Sequence, residues 1–182
     1  MTLTYSKYLK IEELLKLQQP RSGGSEHDEM LFIVIHQTYE LWFKQILHEM
    51  TLLREAFFTN DHTTALATLK RVLTILKTLV SQVDILETMT PLSFGSFRAL
   101  LESSSGFQSV QFRELEIMLG NRDAAKIKHY PIASDEAARL LNCLKEASLF
   151  DAFLHFLNGN GYAMPQEVLK RDVTATYAPN QE

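Results

Sequence analysis

The sequence predicts an all-α protein, a helical bundle built around one long, buried central helix. Three observations carry that prediction. Apolar residues recur at spacings of three and four through most of the 182 residues, the repeat of one helix face. No stretch alternates apolar and polar over the length of a strand. Residues 28–57 contain neither proline nor glycine, room for a helix longer than most.

Taken in order, residues 4–17 (TYSKYLKIEELLKL) read as a short helix with Leu9, Leu14, Leu15 and Leu17 as its apolar positions. Pro20 and the glycine-bearing RSGGS of 21–25 make a loop. Ser25 or Asp28 is positioned to cap the next helix, and Glu26, Asp28 and Glu29 suit its positive end. That helix, 28–57, is apolar on most of its circumference through Phe43 and amphipathic beyond, the pattern of a buried central element. Asn60 and Asp61 break it, Asp61 as the next cap. From 64 to 87, Leu66, Leu69, Val72, Leu73, Leu76, Leu79, Val80, Val83 and Leu86 give an amphipathic packing helix. Pro91 stops it. A short helix at 93–101, a small-residue loop at 103–106 and a helix at 107–119 closed by Gly120–Asn121 follow. Ser134 starts a helix running to Lys145, and Ser148 another that ends at Gly159–Gly161. Pro165 suits the first turn of a last short helix, QEVLKRD. The organisation expected is a single helical domain over 1–182: a short N-terminal helix (4–17), a main bundle (28–171) and a polar tail (172–182).

Composition narrows the function classes. An apolar fraction of 46% with 11 Phe supplies a real core. Eighteen basic against 22 acidic residues, net −4, with no basic run, do not support nucleic-acid binding. The lone Cys143 forms no intrachain disulfide and fits a reducing, cytoplasmic setting. The N-terminus lacks a signal pattern, and the longest apolar run, 30–35, is too short to span a bilayer.

Metal and nucleophile motifs are sparse. None of the six histidines has a glutamate three residues before it, so the paired Glu-x-x-His of a di-iron bundle is absent. Zinc spacings are absent as well. His36 with Glu40, or Asp151 with His155, offers two ligands on one helix face, a coincidence common by chance. Cys143 in LLNCLKE has the setting of a core residue. More informative is EMLFIVIHQTYELW, 29–42. At helical spacing Phe32, His36 and Glu40 share a face. By pattern alone His36 is either a hydrogen-bonded core histidine or the working group of a buried site. Arg98, set among Phe97, Ala99, Leu100 and Leu101, calls for an acidic or phosphate partner, either internal or a ligand. The 103–106 loop is an ordinary turn or a surface of small residues that packs on a flat ligand.

Four segments together resemble the tryptophan 2,3-dioxygenase family: HDEMLFIVIHQTYELWFKQILHE (27–49), Phe97–Arg98 with SSGFQSVQFRELEIMLGN (104–121), the opening TYSKYLKIEELLKLQQP, and SLFDAFLHFLNGNGYAMP (148–165). They lie in register along nearly the whole chain. The resemblance implies an all-helical, homotetrameric enzyme with haem b. Such an enzyme inserts both atoms of O₂ across the indole C2–C3 bond of L-tryptophan to give N-formylkynurenine, the first step of kynurenine-pathway catabolism.

Carried over by position, His36 is the distal, catalytic histidine. Phe32 lines the indole pocket, with Ile33, Val34 and Ile35 in the same substrate-binding segment. Phe94 takes the place of an aromatic residue that is often tyrosine, so any phenol contact is missing. Arg98 pairs with the substrate carboxylate, and Ser105 and Gly106 pack on the haem. Tyr5 and Tyr8 match residues that reach a neighbouring subunit's substrate site. The iron's axial histidine and a threonine-bearing substrate loop are expected beyond Glu182, which makes the chain an N-terminal portion that alone does not turn over tryptophan. Two other functions stay open: a haem hydroxylase of another aromatic amino acid, and a non-catalytic helical ligand-binding or interaction module.

Overall fold

The computed structural model describes residues 2–175; the expected tail beyond 175 lies outside them. Among the described residues there is no strand, and the all-α expectation holds. The elements are α1 (Tyr5–Leu9), α2 (Ile11–Leu14), α3 (His27–Phe58), α4 (His62–Leu86), α5 (Pro91–Arg98), α6 (Val110–Met118), α7 (Asp135–Lys145), α8 (Leu149–Gly159) and α9 (Gln166–Leu169). Short 3₁₀ turns occupy Ala99–Leu101, Gly106–Gln108 and Ala124–His129.

The helix expected over 4–17 is divided. Lys10 adopts a left-handed conformation (φ 51°, ψ 46°) and separates α1 from α2. Neither piece contains a buried residue, so no tertiary packing repays the cost of one continuous short helix. The 3₁₀ turn Ala124–His129 was not expected; Asp123 caps it by accepting from the Ala125 N–H at 2.9 Å.

The ends of the long helices follow local chemistry. Asn60 sits at φ 59° after α3, with Asp61 N–H donating to the Ala56 carbonyl at 2.8 Å and Asn60 N–H to Phe57 at 3.3 Å. Gly120, at φ 106°, closes α6 in the same six-to-one, five-to-two pattern through Asn121 and Glu116. Asp61 caps α4 through the Thr64 N–H at 3.0 Å, and Ser134 caps α7. At α8, Ser148 and Asp151 form a reciprocal capping box. The start of α3 differs from expectation: the Ser25 hydroxyl donates to the Ser22 carbonyl instead of capping.

The chain divides into two compact units. One comprises Met1–Tyr39 and Val80–Ser105, the other Glu40–Leu79 and Gly106–Glu182.

In the first unit, Glu29 is wholly buried and its carboxylate accepts the backbone N–H of Arg21 (2.6 Å) and Ser22 (2.9 Å), pinning the glycine loop against α3. Gln37 accepts from Gln18 at 2.5 Å and donates to the Leu17 carbonyl at 3.1 Å, tying the segment after α2 to α3. Ser96 on α5 donates to Glu26 at 2.5 Å.

In the second unit, Leu53, Ala56, Phe57, Ala65 and Ala152 form one core cluster, extended by Leu149 and Phe156. Ile117, Ile127, Ala137, Leu140 and Leu144 form another. Buried charges are paired: Glu49 with Arg71 at 2.7 Å, and Asp151 with Arg171 and Ser148. The buried Arg122 guanidinium donates to the carbonyls of Leu144 (2.7 Å) and Glu146 (2.5 Å).

The apolar pattern of α4 overstates its burial in this structure. Ala65, Thr68, Val72, Ile75 and Leu79 are buried, whereas Leu66, Leu69, Leu73 and Leu76 are exposed. The all-round apolar part of α3 is likewise only partly covered: Ile35 is buried, and Met30, Val34 and Leu41 are exposed.

Candidate functional site

The 29–42 segment lies within α3, where side chains four apart stack on one face. The Phe32 and His36 rings are 4.0 Å apart between centroids. From α5, which starts at the Thr90 cap and Pro91, Phe94 and Phe97 join them. The Phe32–Phe94 and Phe32–Phe97 centroid distances are each 5.7 Å, and Phe94 meets Phe97 edge-on at 5.5 Å. Phe97 is the buried anchor of this group; Phe32, Phe94 and His36 are half-buried, so the aromatic wall keeps an open side.

His36 carries an assignment of proton position. Its Nδ1 lies 2.7 Å from the Phe32 carbonyl oxygen. A carbonyl only accepts, so Nδ1 bears the hydrogen, and in the neutral ring Nε2 is left as the acceptor. The face shared by Phe32 and His36 is therefore an aromatic surface with one hydrogen-bond acceptor at its edge. It continues in sequence to Glu40, which Gln111 engages at both its carbonyl (2.9 Å) and its carboxylate (2.7 Å).

Arg98 ends α5. The sequence suggested a cation in apolar surroundings; the structure corrects this, because the helix turns Phe97 inward and Arg98 outward. Its Nη1 donates to the Glu102 carbonyl at 3.0 Å, and among the described residues no carboxylate pairs with it. An exposed guanidinium one helical turn from Phe94 is suited to an incoming carboxylate.

The remaining residues are placed variously. Ile35 is buried, Ile33 is half-buried and Val34 is 43% exposed, so the three do not form one surface with Phe32. Tyr5 and Tyr8 are 75% and 71% exposed on α1. Ser105 and Gly106 are exposed, Gly106 opening the turn that carries Phe107. Among the described residues no three His, Cys, Asp or Glu side chains gather into a metal site. Burial pushes the Cys143 thiol up to about 11, which leaves it protonated and unreactive at neutral pH.

The second unit holds a cavity of about 810 Å³ whose lining includes Phe107, Arg113, Lys126, His129 and Tyr130. Sequence reasoning passed over it, because its walls come from a loop, α6 and an unforeseen 3₁₀ turn. Phe107 is 79% exposed and offers a flat aromatic face. Arg113 and Lys126 supply cations, both now held by Glu116. These two contacts hold the Glu116 carboxyl below its ordinary range although burial pushes it up. The size and lining suit a planar ligand with an anionic edge.

Comparison with known proteins gives one family. The family model described as tryptophan 2,3-dioxygenase matches residues 1–160. A tryptophan 2,3-dioxygenase of Herpetosiphon aurantiacus is 58% identical over 172 residues, covering 94% of this chain and 66% of its own length. One from Anaeromyxobacter sp. strain K is 55% identical over 163 residues (90% of this chain, 61% of its own), and one from Rhodococcus jostii 44% over 183 residues (99% and 63%). The chain thus spans about 61–66% of the length of these relatives.

Proposed function

The chain belongs to the tryptophan 2,3-dioxygenase family, and from that premise we propose that it forms the substrate-holding side of a haem enzyme. That enzyme adds both atoms of O₂ across the indole C2–C3 bond of L-tryptophan and releases N-formylkynurenine. One observation in the structure supports this above the others: the Phe32–His36–Phe94 surface, with His36 fixed as an Nε2 acceptor by the Phe32 carbonyl.

In this reading the indole ring lies against Phe32 and Phe94, an aromatic contact that also excludes water. The indole N–H donates to His36 Nε2. A histidine protonated at both nitrogens would have no acceptor to offer, so the carbonyl of Phe32 matters to function as well as to packing. Arg98 receives the α-carboxylate, holding the substrate at its other end. Fixing both ends brings the reacting bond into place before chemistry begins, which lowers the entropic part of the barrier.

Haem, when bound, supplies oxygen binding and activation. Ser105 and Gly106 would pack on its face. Assembly as a homotetramer, with the N-terminal segment lent to a neighbouring subunit, suits α1 and α2: neither buries a residue, and Tyr5 and Tyr8 stand exposed. A cytoplasmic location accords with the lone Cys143. Among the described residues no helix is long and apolar enough to cross a membrane.

The test is to reconstitute with haem the enzyme that includes the downstream region expected to carry the axial histidine, add L-tryptophan and oxygen, and identify the product. N-formylkynurenine is expected, together with a change in the haem Soret band on tryptophan binding. A hydroxylated amino acid would instead mark a hydroxylase, and the absence of haem binding a non-catalytic module.

A further inference from the structure

Glu102 occupies a backbone conformation that a glutamate rarely adopts. Its φ of 51° and ψ of −123° are those of the first central residue of a type II′ turn, a position dominated by glycine. The turn is closed: Ser104 N–H donates to the Leu101 carbonyl at 2.9 Å. An L-residue with a Cβ pays a steric cost there, and such outliers persist when the surroundings enforce them. The carbonyl of that same residue receives Arg98 Nη1 at 3.0 Å. Arg98 lies four residues earlier, at the end of α5, with the 3₁₀ turn Ala99–Leu101 between them. The arrangement is a short closed ring: helix end, 3₁₀ turn, strained residue, and back to the guanidinium.

We propose that Glu102 is a positioning residue for Arg98: its strained turn presents a carbonyl that holds one corner of the guanidinium, orienting the remaining N–H donors for the carboxylate of an amino-acid substrate. An exposed arginine with free rotamers loses side-chain entropy on binding a ligand. An arginine held at one nitrogen before the ligand arrives loses less, and its planar fork already has a direction. The positive φ of residue 102 aims the carbonyl at the arginine, so the tether lasts only while the turn keeps that conformation. The proposal rests on the tryptophan-dioxygenase reading only for the identity of the carboxylate. The tether itself belongs to residues 98–104.

Two measurements test it. In the ¹⁵N-labelled chain without ligand, guanidinium NMR reports rotation and hydrogen exchange at Arg98, assigned by its loss in Arg98→Lys. Slow exchange is expected in the wild type and in Glu102→Gly, which accepts this φ without strain, and about tenfold faster exchange in Glu102→Val, whose branched side chain drives the turn out of it. Equal exchange in wild type and Glu102→Val would overturn the tether, as would fast exchange in Glu102→Gly.

In the haem-reconstituted enzyme with its downstream region, Glu102→Val is expected to raise KM for L-tryptophan about five- to tenfold with kcat within about twofold, and Glu102→Gly to leave KM level. Binding of tryptamine, which lacks the carboxylate, is expected to stay level. A parallel loss for tryptamine would overturn the positioning role. A tether seen by NMR in a protein that prefers neither ligand would uphold the tether and remove tryptophan as its substrate.

Discussion

The Phe32 carbonyl fixes the His36 ring by accepting its Nδ1 hydrogen at 2.7 Å, while the two rings lie 4.0 Å apart. One residue thus sets both the orientation and the tautomer of its neighbour one turn on. The hydrogen bond runs along the helix and involves no side chain but the histidine's, so the geometry is available before any ligand binds.

His36→Ala removes the acceptor and should weaken L-tryptophan use by about 10- to 100-fold in kcat/KM, one hydrogen bond plus a lost ring contact, with haem retained. 1-Methyl-L-tryptophan, which has no indole N–H, should lose far less. Steady-state kinetics and the Soret absorbance check this together; loss of haem in His36→Ala would make the residue an iron ligand instead.

Arg98→Ala should raise KM for L-tryptophan by about 10- to 100-fold, the usual worth of a charge-assisted hydrogen bond (about 1.5–3 kcal/mol). Arg98 is exposed, so its removal leaves no buried charge behind in the free protein and melting temperature should hardly move. A KM unchanged from wild type would remove Arg98 from the site.

Glu29 predicts a pH dependence of stability. Burial pushes its carboxyl up, but hydrogen bonds from Ser22 and the backbone N–H of Arg21 outweigh this and hold it below the ordinary range. A group depressed in the folded state stabilises the fold above its unfolded pKa and loses that contribution as pH falls through the lower, folded value. Denaturant midpoints should therefore drop on acidification below about pH 4.3. Glu29→Gln should flatten its part of that drop while costing about 1 kcal/mol at neutral pH, through an acceptor lost to a part-buried N–H.

Cys143, with its thiol pushed up to about 11, should resist a thiol-specific reagent at pH 8 in the folded protein and react at once in denaturant. Labelling in native buffer as fast as in denaturant would place the side chain in solvent instead of against the Ile117–Leu144 cluster.

Much of the fold was legible because its signals are local. The long helices α3 and α4 announce themselves by period and by the absence of breakers, and their boundaries fall within two residues of expectation. Asp61, Ser134 and Ser148 cap as their residue types suggest, since a cap needs only a side-chain oxygen and the next turn. What was not legible depends on distant partners. Nothing in YLKIE marks Lys10 for a left-handed conformation; the break follows from the lack of packing around α1 and α2. The acidic Glu29 looked like a favourable charge at a helix start, whereas its role is to receive two N–H groups from a loop eight and seven residues earlier. Arg98 looked buried because its neighbours are apolar, yet adjacent residues on a helix face different ways. At the site, spacing alone joined Phe32 to His36, and Arg98 stood out as a cation among apolar neighbours, while Phe94 came from family resemblance; Glu102 had no signal, since a glutamate in a glycine conformation is invisible in a sequence.

The tight connection at Asn60 and Asp61 has a kinetic consequence. It sets Ala56 and Phe57 only a few residues from Ala65 in the same cluster, so this part of the core closes a loop of small entropy. Ala152 and the Asn160–Asn60 hydrogen bond reach that cluster from about a hundred residues away in the chain. The α3–α4 hairpin is therefore the natural nucleus and α8 the late arrival. Truncating Ala65 should slow refolding, whereas truncating Leu149 should mainly hasten unfolding.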